Sequence, residues 1–343
     1  MMELPLFWIY FFNLIVNSTL SFFTCLLLIE CCVFASRVTH PRIKAVCRLL
    51  PLFKICLDLC LYHVSQWALI HGVNPVLAEK GSRQLSVLLM NPFTGIQLSL
   101  QDGKTFSFAD LIALSMDPFW VQGVVSVAGL GSLMACLLYL KRILQEKRQV
   151  FIIVAGVIQM PTNNLDASLV AWLSKRRVKV VRSYAISAPC IIGKTILFPS
   201  QLLQDLSAKE VEAIIVHEMA HFRWKDCGVR IASALVAALF WWIPTKWWRL
   251  RIEEVQEQAA DIAIRQFGIP ATVLAGAIIK TARSAKTGES SLAFSFVGSK
   301  SSLKKRIELL LREPPRFRRW KIVQYGLLSC AWLSILFGTI WIF

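Results

Sequence analysis

Three blocks of this sequence are too long and too apolar for a water-soluble fold. Leu6 to Phe34 carries a single charge, Glu30, while Phe119 to Leu140 and Ile322 to Phe343 carry none. A helix crossing the hydrocarbon core needs about 20 mostly apolar residues, because each backbone polar group must find its partner inside the segment. Each block has that length, so each is expected to span a bilayer. Leu49 to Ile70 is long enough too, but it contains Lys54, Asp58 and His63. A charge at the centre of a spanning helix costs roughly 2.5–3.5 kcal/mol. Lys54 and Asp58 stand four residues apart, where one helix face can pair them, and Lys54 can snorkel towards the interface. This block is read as a further span, with a re-entrant or surface helix as the alternative. The first block is not read as a secretory leader, since it is long and lacks both a basic region ahead of it and a small-residue cleavage site.

The net charge of +17 would suit a nucleic-acid binder if it were clustered around a groove-reading motif. Instead, Lys and Arg concentrate in 37–54 and 141–321, and 71–118 holds only Lys80, Arg83 and Lys104. Positive residues stay cytoplasmic in short loops beside spans. The N-terminus is therefore expected outside, 72–118 outside, 141–321 inside and the final residues outside. Runs such as Lys175-Arg176-Arg177 and Arg316 to Lys321 then face anionic lipid headgroups, and no direct nucleic-acid binding is expected. Of the ten cysteines, most lie in the apolar blocks and no pair has zinc-finger spacing. They read as small packing residues.

The loop at 72–118 alternates around Ile96 to Leu100 before Asp102-Gly103, which predicts a short hairpin. A helix is expected to continue from the third span to about Arg148. Val178 to Ser187 is β-branched and alternating, and with "CIIG" and "TILFP" it predicts two or three short strands. Ser207 followed by Glu210 makes a capping box just before Val211 to Ile215. That marks the start of the helix that carries His217-Glu218-Met219-Ala220-His221.

Residues i and i+4 share a helix face, so His217 and His221 can present ring nitrogens to one metal ion. Glu218 lies beside the first of them and can take a proton from a water that the ion makes acidic. Ordinary histidines on a helix are the bland alternative. Against it, these are the only two of the chain's five histidines in 141–321, and they sit in an apolar helix. A catalytic zinc takes three protein ligands, and no histidine follows His221. Cys227 is expected on an unsuitable part of the same helix. The better candidates lie in "RIEEVQEQAADIAIRQFG", where Glu253, Glu257 and Asp261 step by four and Glu254 flanks them. Glu257 is the best placed as third ligand, with Asp261 as acceptor for a ligating histidine's free N–H. For Glu253 and Glu254 an acidic, solvated face is an equal alternative.

His217-Glu-x-x-His221 followed by Glu257-x-x-Ala260-Asp261 resembles the gluzincin membrane peptidases. The flanks "SAPCIIGKTILFPSQLL", "LSAKEVEAIIVHEMAHFRWKD", "FWWIPTKWW" and "AFSFVGSKSSLKKRIELLL" narrow the resemblance to the BlaR/MecR-type antirepressor peptidases. The similarity covers roughly 119–343. It implies that His217, His221 and Glu257 bind Zn2+, that Glu218 is the general base and that Asp261 supports the site. It further implies a zinc metalloendopeptidase in a bacterial plasma membrane, multi-pass, with its catalytic domain cytoplasmic. Some members of that family cleave themselves and a transcriptional repressor once an outer penicillin-binding domain is acylated. This sequence has no serine-x-x-lysine motif or sensor domain after the last apolar block, so β-lactam sensing is not expected. Two other readings stand beside repressor cleavage. One is quality control or processing of membrane proteins, as in the heat-shock and prenyl-processing proteases; the other is a non-catalytic scaffold.

Gly228 to Ile243 is apolar but short for a crossing, and it ends at Pro244 among Trp241, Trp242, Trp247 and Trp248. Tryptophans favour the membrane interface. A helix at about 228–243 is expected to dip into the inner leaflet or pack on the spans, with a soluble-core helix as the alternative. The expected architecture is a mainly α integral membrane protein of about four transmembrane helices, near 6–34, 49–70, 119–140 and 322–343. A cytoplasmic α+β, zincin-like metalloprotease domain at 143–321 is inserted between the third and fourth.

Overall fold

The computed structural model describes residues 6–36, 38, 40–70, 98–99, 105–106, 117–161, 165–287 and 300–312. The expected span at 322–343, most of the loop at 72–118 and the side chains of Asp58 and His63 lie outside the described residues. The fold is mostly helical with a small sheet. Among the described residues, Phe11–Ala35 and Pro118–Val150 are the two helical segments long and apolar enough to cross a membrane.

Helices α1 (Leu6–Ala35) and α2 (Pro41–Ile70) are joined by a short connection and pack on each other. The α2 helix begins well before the apolar block at Leu49, with Pro41 at its first position, where the missing N–H costs nothing. Its added turns carry Arg42 and Arg48, and Arg48 Nε donates to Glu30 Oε1 of α1 over 2.8 Å. The predicted hairpin in the 72–118 loop contains β1 (Leu98–Ser99) and β2 (Thr105–Phe106), paired antiparallel. Helix α3 (Pro118–Ala155) starts at Asp117, whose side chain accepts the Phe119 N–H over 2.8 Å. It runs past Arg148, the expected end, because Val150 to Ala155 remains an apolar run without a breaker until Gly156.

Next come β3 (Ile158–Gln159), α4 (Ala167–Arg176), β4 (Lys179–Ser183), β5 (Cys190–Ile192) and β6 (Thr195–Pro199). They form one sheet in the order β3-β4-β6-β5, with β4 and β6 parallel and both outer pairs antiparallel. Strand β3 was not anticipated: Ile158-Gln159 lies between Gly156 and Pro161 with no alternating run around it. Gly193, at φ +58°, opens the two-residue turn between β5 and β6, a conformation that L side chains avoid.

Helices α5 (Leu202–Asp205), α6 (Ala208–Trp224), α7 (Asp226–Leu239), α8 (Thr245–Ala263), α9 (Ala271–Thr287) and α10 (Lys300–Leu311) complete the described chain. The central one is α6, packed against β5, α8 and α9. Its core includes Ile196 and Phe198 of the sheet, Ile215 and Met219 of α6, and Leu274 and Ile278 of α9.

The α7–α8 pair reaches away from this core and onto the long helices. Tyr139 Oη donates to the Ile231 carbonyl over 2.9 Å and Ser132 Oγ to the Leu239 carbonyl over 2.7 Å, while Trp241 Nε1 donates to the Ala128 carbonyl over 3.1 Å. These contacts climb α7 as they descend α3, so the two helices are antiparallel. Leu239 ends α7, and the Ser132 hydroxyl satisfies a carbonyl that has no partner inside that helix. Phe240, Ile243, Trp248 and Ile252 bury against Phe22, Ile29, Leu50 and Ile55 of α1 and α2. A Cβ at Gly131 would run into the Trp241 indole. Replacing Gly131 with Leu should therefore lift α7 from α3 and destabilise the protein by about 1–3 kcal/mol, read as a lower Tm in detergent, with Gly131→Ala falling between.

Candidate metal centre

The α6 helix is pinned at its start by the capping box. Ser207 Oγ accepts the Glu210 N–H over 3.3 Å, and Glu210 Oε2 accepts the Ser207 N–H over 2.8 Å. Such a cap is worth about 1 kcal/mol. Lys280 of α9 binds the same carboxylate at 2.8 Å, fixing α6 to its neighbour. Every residue from Glu210 to His221 is buried, so the helix has no solvated face and its polar groups must find partners inside the protein.

Those partners are ordered around the two imidazoles. His217 Nε2 and His221 Nε2 face each other at 3.3 Å. Glu257 of α8 stands over both, with Oε2 at 3.6 Å from His217 Nε2 and Oε1 at 3.5 Å from His221 Nε2. Ligand atoms of these three residues lie within 4.8 Å of one another, the one grouping among the described residues able to hold a metal ion. Their backs are held by carboxylates. His217 Nδ1 lies 3.1 Å from Asp261 Oδ1 and His221 Nδ1 lies 2.9 Å from Asp226 Oδ2. Asp226 accepts the His221 Nδ1 proton, which in the neutral ring leaves the Nε2 lone pair facing the centre.

Arginines complete the arrangement. Arg306 of α10 grips Asp261 with two bonds, Nη2 to Oδ1 at 2.7 Å and Nε to Oδ2 at 3.0 Å, and its Nη1 lies 3.3 Å from Glu257 Oε2. Arg230 of α7 donates from Nη2 to Glu257 Oε1 over 2.8 Å. Burial would raise the Glu257 carboxyl, but His221 and Arg306 outweigh it and hold it well below the usual carboxylate range. Asp261 is likewise depressed against its burial, chiefly by Arg306 and then His217. Burial pulls the His221 imidazole down, yet Glu257 and Asp226 push it up to about 10. Glu218 differs from the Glu257 and Asp261 carboxyls in direction: it is 2% exposed, burial raises its pKa, and its Oε1 has no hydrogen-bond partner among the described residues.

The structure thus gathers His217, His221, Glu257 and Asp261, with Glu218 beside the first histidine. It leaves out Glu253, which lies 3.5 Å from Arg249, and Glu254, which pairs with Lys305. Cys227 is exposed and lies on α7, so the expected reason for excluding it was wrong: α6 ends at Trp224, and Cys227 is not on that helix. Lys225 breaks the helix with φ 55°, ψ 36°, an unusual left-handed conformation for a lysine. That break folds Asp226 back beneath His221.

Sequence reasoning missed Asp226, Arg230 and Arg306. A trace of Arg306 was visible, since Leu303, Arg306, Ile307 and Leu310 share one helix face and an arginine in such a stripe needs an acidic partner. For Asp226 there was none, because nothing in a lysine foretells a left-handed turn.

The BlaR1 peptidase M56 family description matches residues 111–310, which contain all of these groups. The chain is also similar to Protease HtpX homolog 2 of Sulfurisphaera tokodaii, with 37% identity over 67 residues, or 19% of this chain and 20% of that protein. The chain thus matches about a fifth of that relative's length.

Proposed function

This chain belongs to the BlaR1 peptidase M56 family, a family of membrane metallopeptidases, and we propose that it is a zinc metalloendopeptidase cutting protein substrates at the cytoplasmic face of a bacterial plasma membrane. The observation that carries this reading is the convergence of His217, His221 and Glu257 within 4.8 Å beside a buried Glu218. Two imidazole nitrogens and one carboxylate oxygen are the donor set of a catalytic zinc with an open position. The fit goes further: both Nε2 atoms face inward, a carboxylate oxygen lies within 3.1 Å of each Nδ1, and Glu218 Oε1 lacks a hydrogen-bond partner among the described residues.

Zinc bound there supplies Lewis acidity, polarising the scissile carbonyl and making water acidic near neutral pH. The chain's own groups do the rest. Glu218 accepts a proton at Oε1 from the attacking water, whose oxygen bonds to the carbonyl carbon. It then returns that proton to the amide nitrogen as the C–N bond breaks. Its raised pKa suits both halves of this exchange. Arg230 and Arg306 keep Glu257 anionic and so fit to bind a cation. Strand β5 lies at the sheet's edge beside α6, where an extended peptide can add as a further strand.

The membrane arrangement we propose has about four spans, with the catalytic domain at 143–321 on the cytoplasmic side. In support, Leu130, Leu133, Met134, Leu137 and Leu138 of α3 are exposed, as expected of side chains facing lipid. The α7–α8 turn meets α3 at Ala128 and Ser132, within its uncharged stretch, and leaves Trp241 and Trp247 exposed. These contacts favour a hairpin dipping into the inner leaflet. The substrate class we favour is a cytoplasmic regulatory protein such as a repressor, or the chain itself. Quality control of membrane proteins is the alternative that the similarity to an HtpX homologue supports.

Purified full-length protein should carry about one zinc per chain. Chelation should abolish cleavage of a protein substrate, and added zinc should restore it. Cleavage that persists in metal-free protein would overturn the proposal. Comparing proteomes of cells with wild-type protein and with Glu218→Gln separates the substrate classes: a shortened repressor in wild type supports regulation, and accumulated membrane proteins in the variant support quality control.

A further inference from the structure

Asp226 has a second hold, and it comes from 184 positions earlier in the chain. Arg42, in the first turn of α2, donates from Nη1 to Asp226 Oδ1 over 2.7 Å and from Nη2 to the Trp224 carbonyl over 3.2 Å. Its guanidinium also stacks over the Trp224 ring, 4.9 Å from the centroid. The fork therefore spans the α6–α7 junction, gripping the residue before Lys225 and the residue after it. Asp226 uses Oδ2 for His221 and Oδ1 for Arg42 and for Gln256 Nε2, the latter at 3.2 Å. Its side chain is 1% exposed while that of Arg42 is 21% exposed, so the arginine reaches in from the rim to an otherwise sealed carboxylate.

We propose that Arg42 is a positioning residue for the metal centre: it clamps the left-handed α6–α7 turn and the Asp226 carboxylate, and through Asp226 it sets the His221 ring. This inference rests on the metal-centre reading above. Lys225 turns the chain in the left-handed region, and a planar two-pronged cation on the carboxylate and the adjoining carbonyl fixes that turn from outside. The consequence is that α2 and the metal centre form one mechanical unit. Docking of α2 completes the site, and drawing α2 away removes the clamp and frees His221 to turn.

The test uses full-length protein in detergent, with zinc affinity read by chelator competition and ligand geometry by visible absorption of the cobalt-substituted protein. Arg42→Ala should bind zinc about 10–100-fold more weakly and show a changed cobalt spectrum. Arg42→Lys keeps the charge but not the fork and should fall between; it also serves if Arg42→Ala does not fold. Asp226→Asn should weaken zinc to a similar degree, and Arg42→Ala added to it should cost little more, because both changes act through one carboxylate. Arg48→Ala breaks the ion pair with Glu30 and the stacking of Arg48 on Trp248 of α8, so it loosens α2 without touching Asp226, and it should leave both readouts at wild-type values. Wild-type affinity and spectrum in Arg42→Ala and Arg42→Lys would overturn the proposal. So would additive losses in the double variant, or a loss in Arg48→Ala equal to that in Arg42→Ala. Wild-type protein that binds no zinc would instead refute the metal-centre reading beneath it.

Discussion

Glu218→Gln should keep its zinc and lose hydrolysis by about 10²–10⁴-fold, the usual contribution of a positioned general acid–base group. Glutamine has nearly the same shape, so the packing around α6 survives. It cannot accept a proton at neutral pH, so the attacking water stays undivided and the leaving nitrogen unprotonated. Glu218 lies outside the group of His217, His221 and Glu257, which is why its loss should not empty the site. Burial adds a stability signature. An ionised carboxylate 2% exposed is costly, so a neutral amide there should leave Tm unchanged or higher. The measurements are metal content by mass spectrometry, cleavage rate and thermal unfolding on the same preparation. Full activity in the variant would remove Glu218 from the chemistry.

The second large effect belongs to Glu257. Glu257→Ala removes one of three ligand groups, takes from Arg230 its carboxylate partner and leaves Arg306 with Asp261 alone. Arg230 Nη2 is 2.8 Å from one carboxylate oxygen and Arg306 Nη1 3.3 Å from the other. Without Glu257 these cations face the two imidazoles, and a divalent ion must enter against them. The loss of zinc affinity should therefore exceed the roughly 10–100-fold that follows loss of a group behind a ligand. Glu257→Gln retains an oxygen donor without the charge and should fall between. Glu254→Ala is the informative control, since Glu254 pairs with Lys305 and lies outside the cluster. It should leave metal content intact. If zinc were lost from Glu254→Ala and kept by Glu257→Ala, the third ligand would be Glu254.

Local chemistry is what a sequence states most openly. The uncharged run from Phe119 to Leu140 allows only a buried or lipid-facing helix, and α3 contains it whole. Ser207 and Glu210 announce the start of α6, and the cap is present with both of its hydrogen bonds. The four-residue spacing brings His217 and His221 together on that helix. Glu257 and Asp261, four apart on α8, likewise share a face. In each case the governing interaction lies within one or two turns, so spacing along the chain fixes spacing in space.

Beyond that range the sequence offered Glu257 as a partner for the two histidines and a trace of Arg306, and little else. Asp226 reaches His221 only because Lys225 adopts a left-handed turn, which no residue type at that position required. Arg306 meets Asp261 across 45 positions and Arg42 meets Asp226 across 184. The sequence by itself determined two helices of membrane-crossing length, the capped helix of His217 and His221, and a set of residues able to hold a metal ion. Only the tertiary structure decided which carboxylate backs each imidazole, which arginines balance Glu257, and that α2 is tied to the centre. The physical reason is that helix periodicity and capping are set by neighbours along the chain, whereas a buried charge takes whichever partner the packed helices deliver to it.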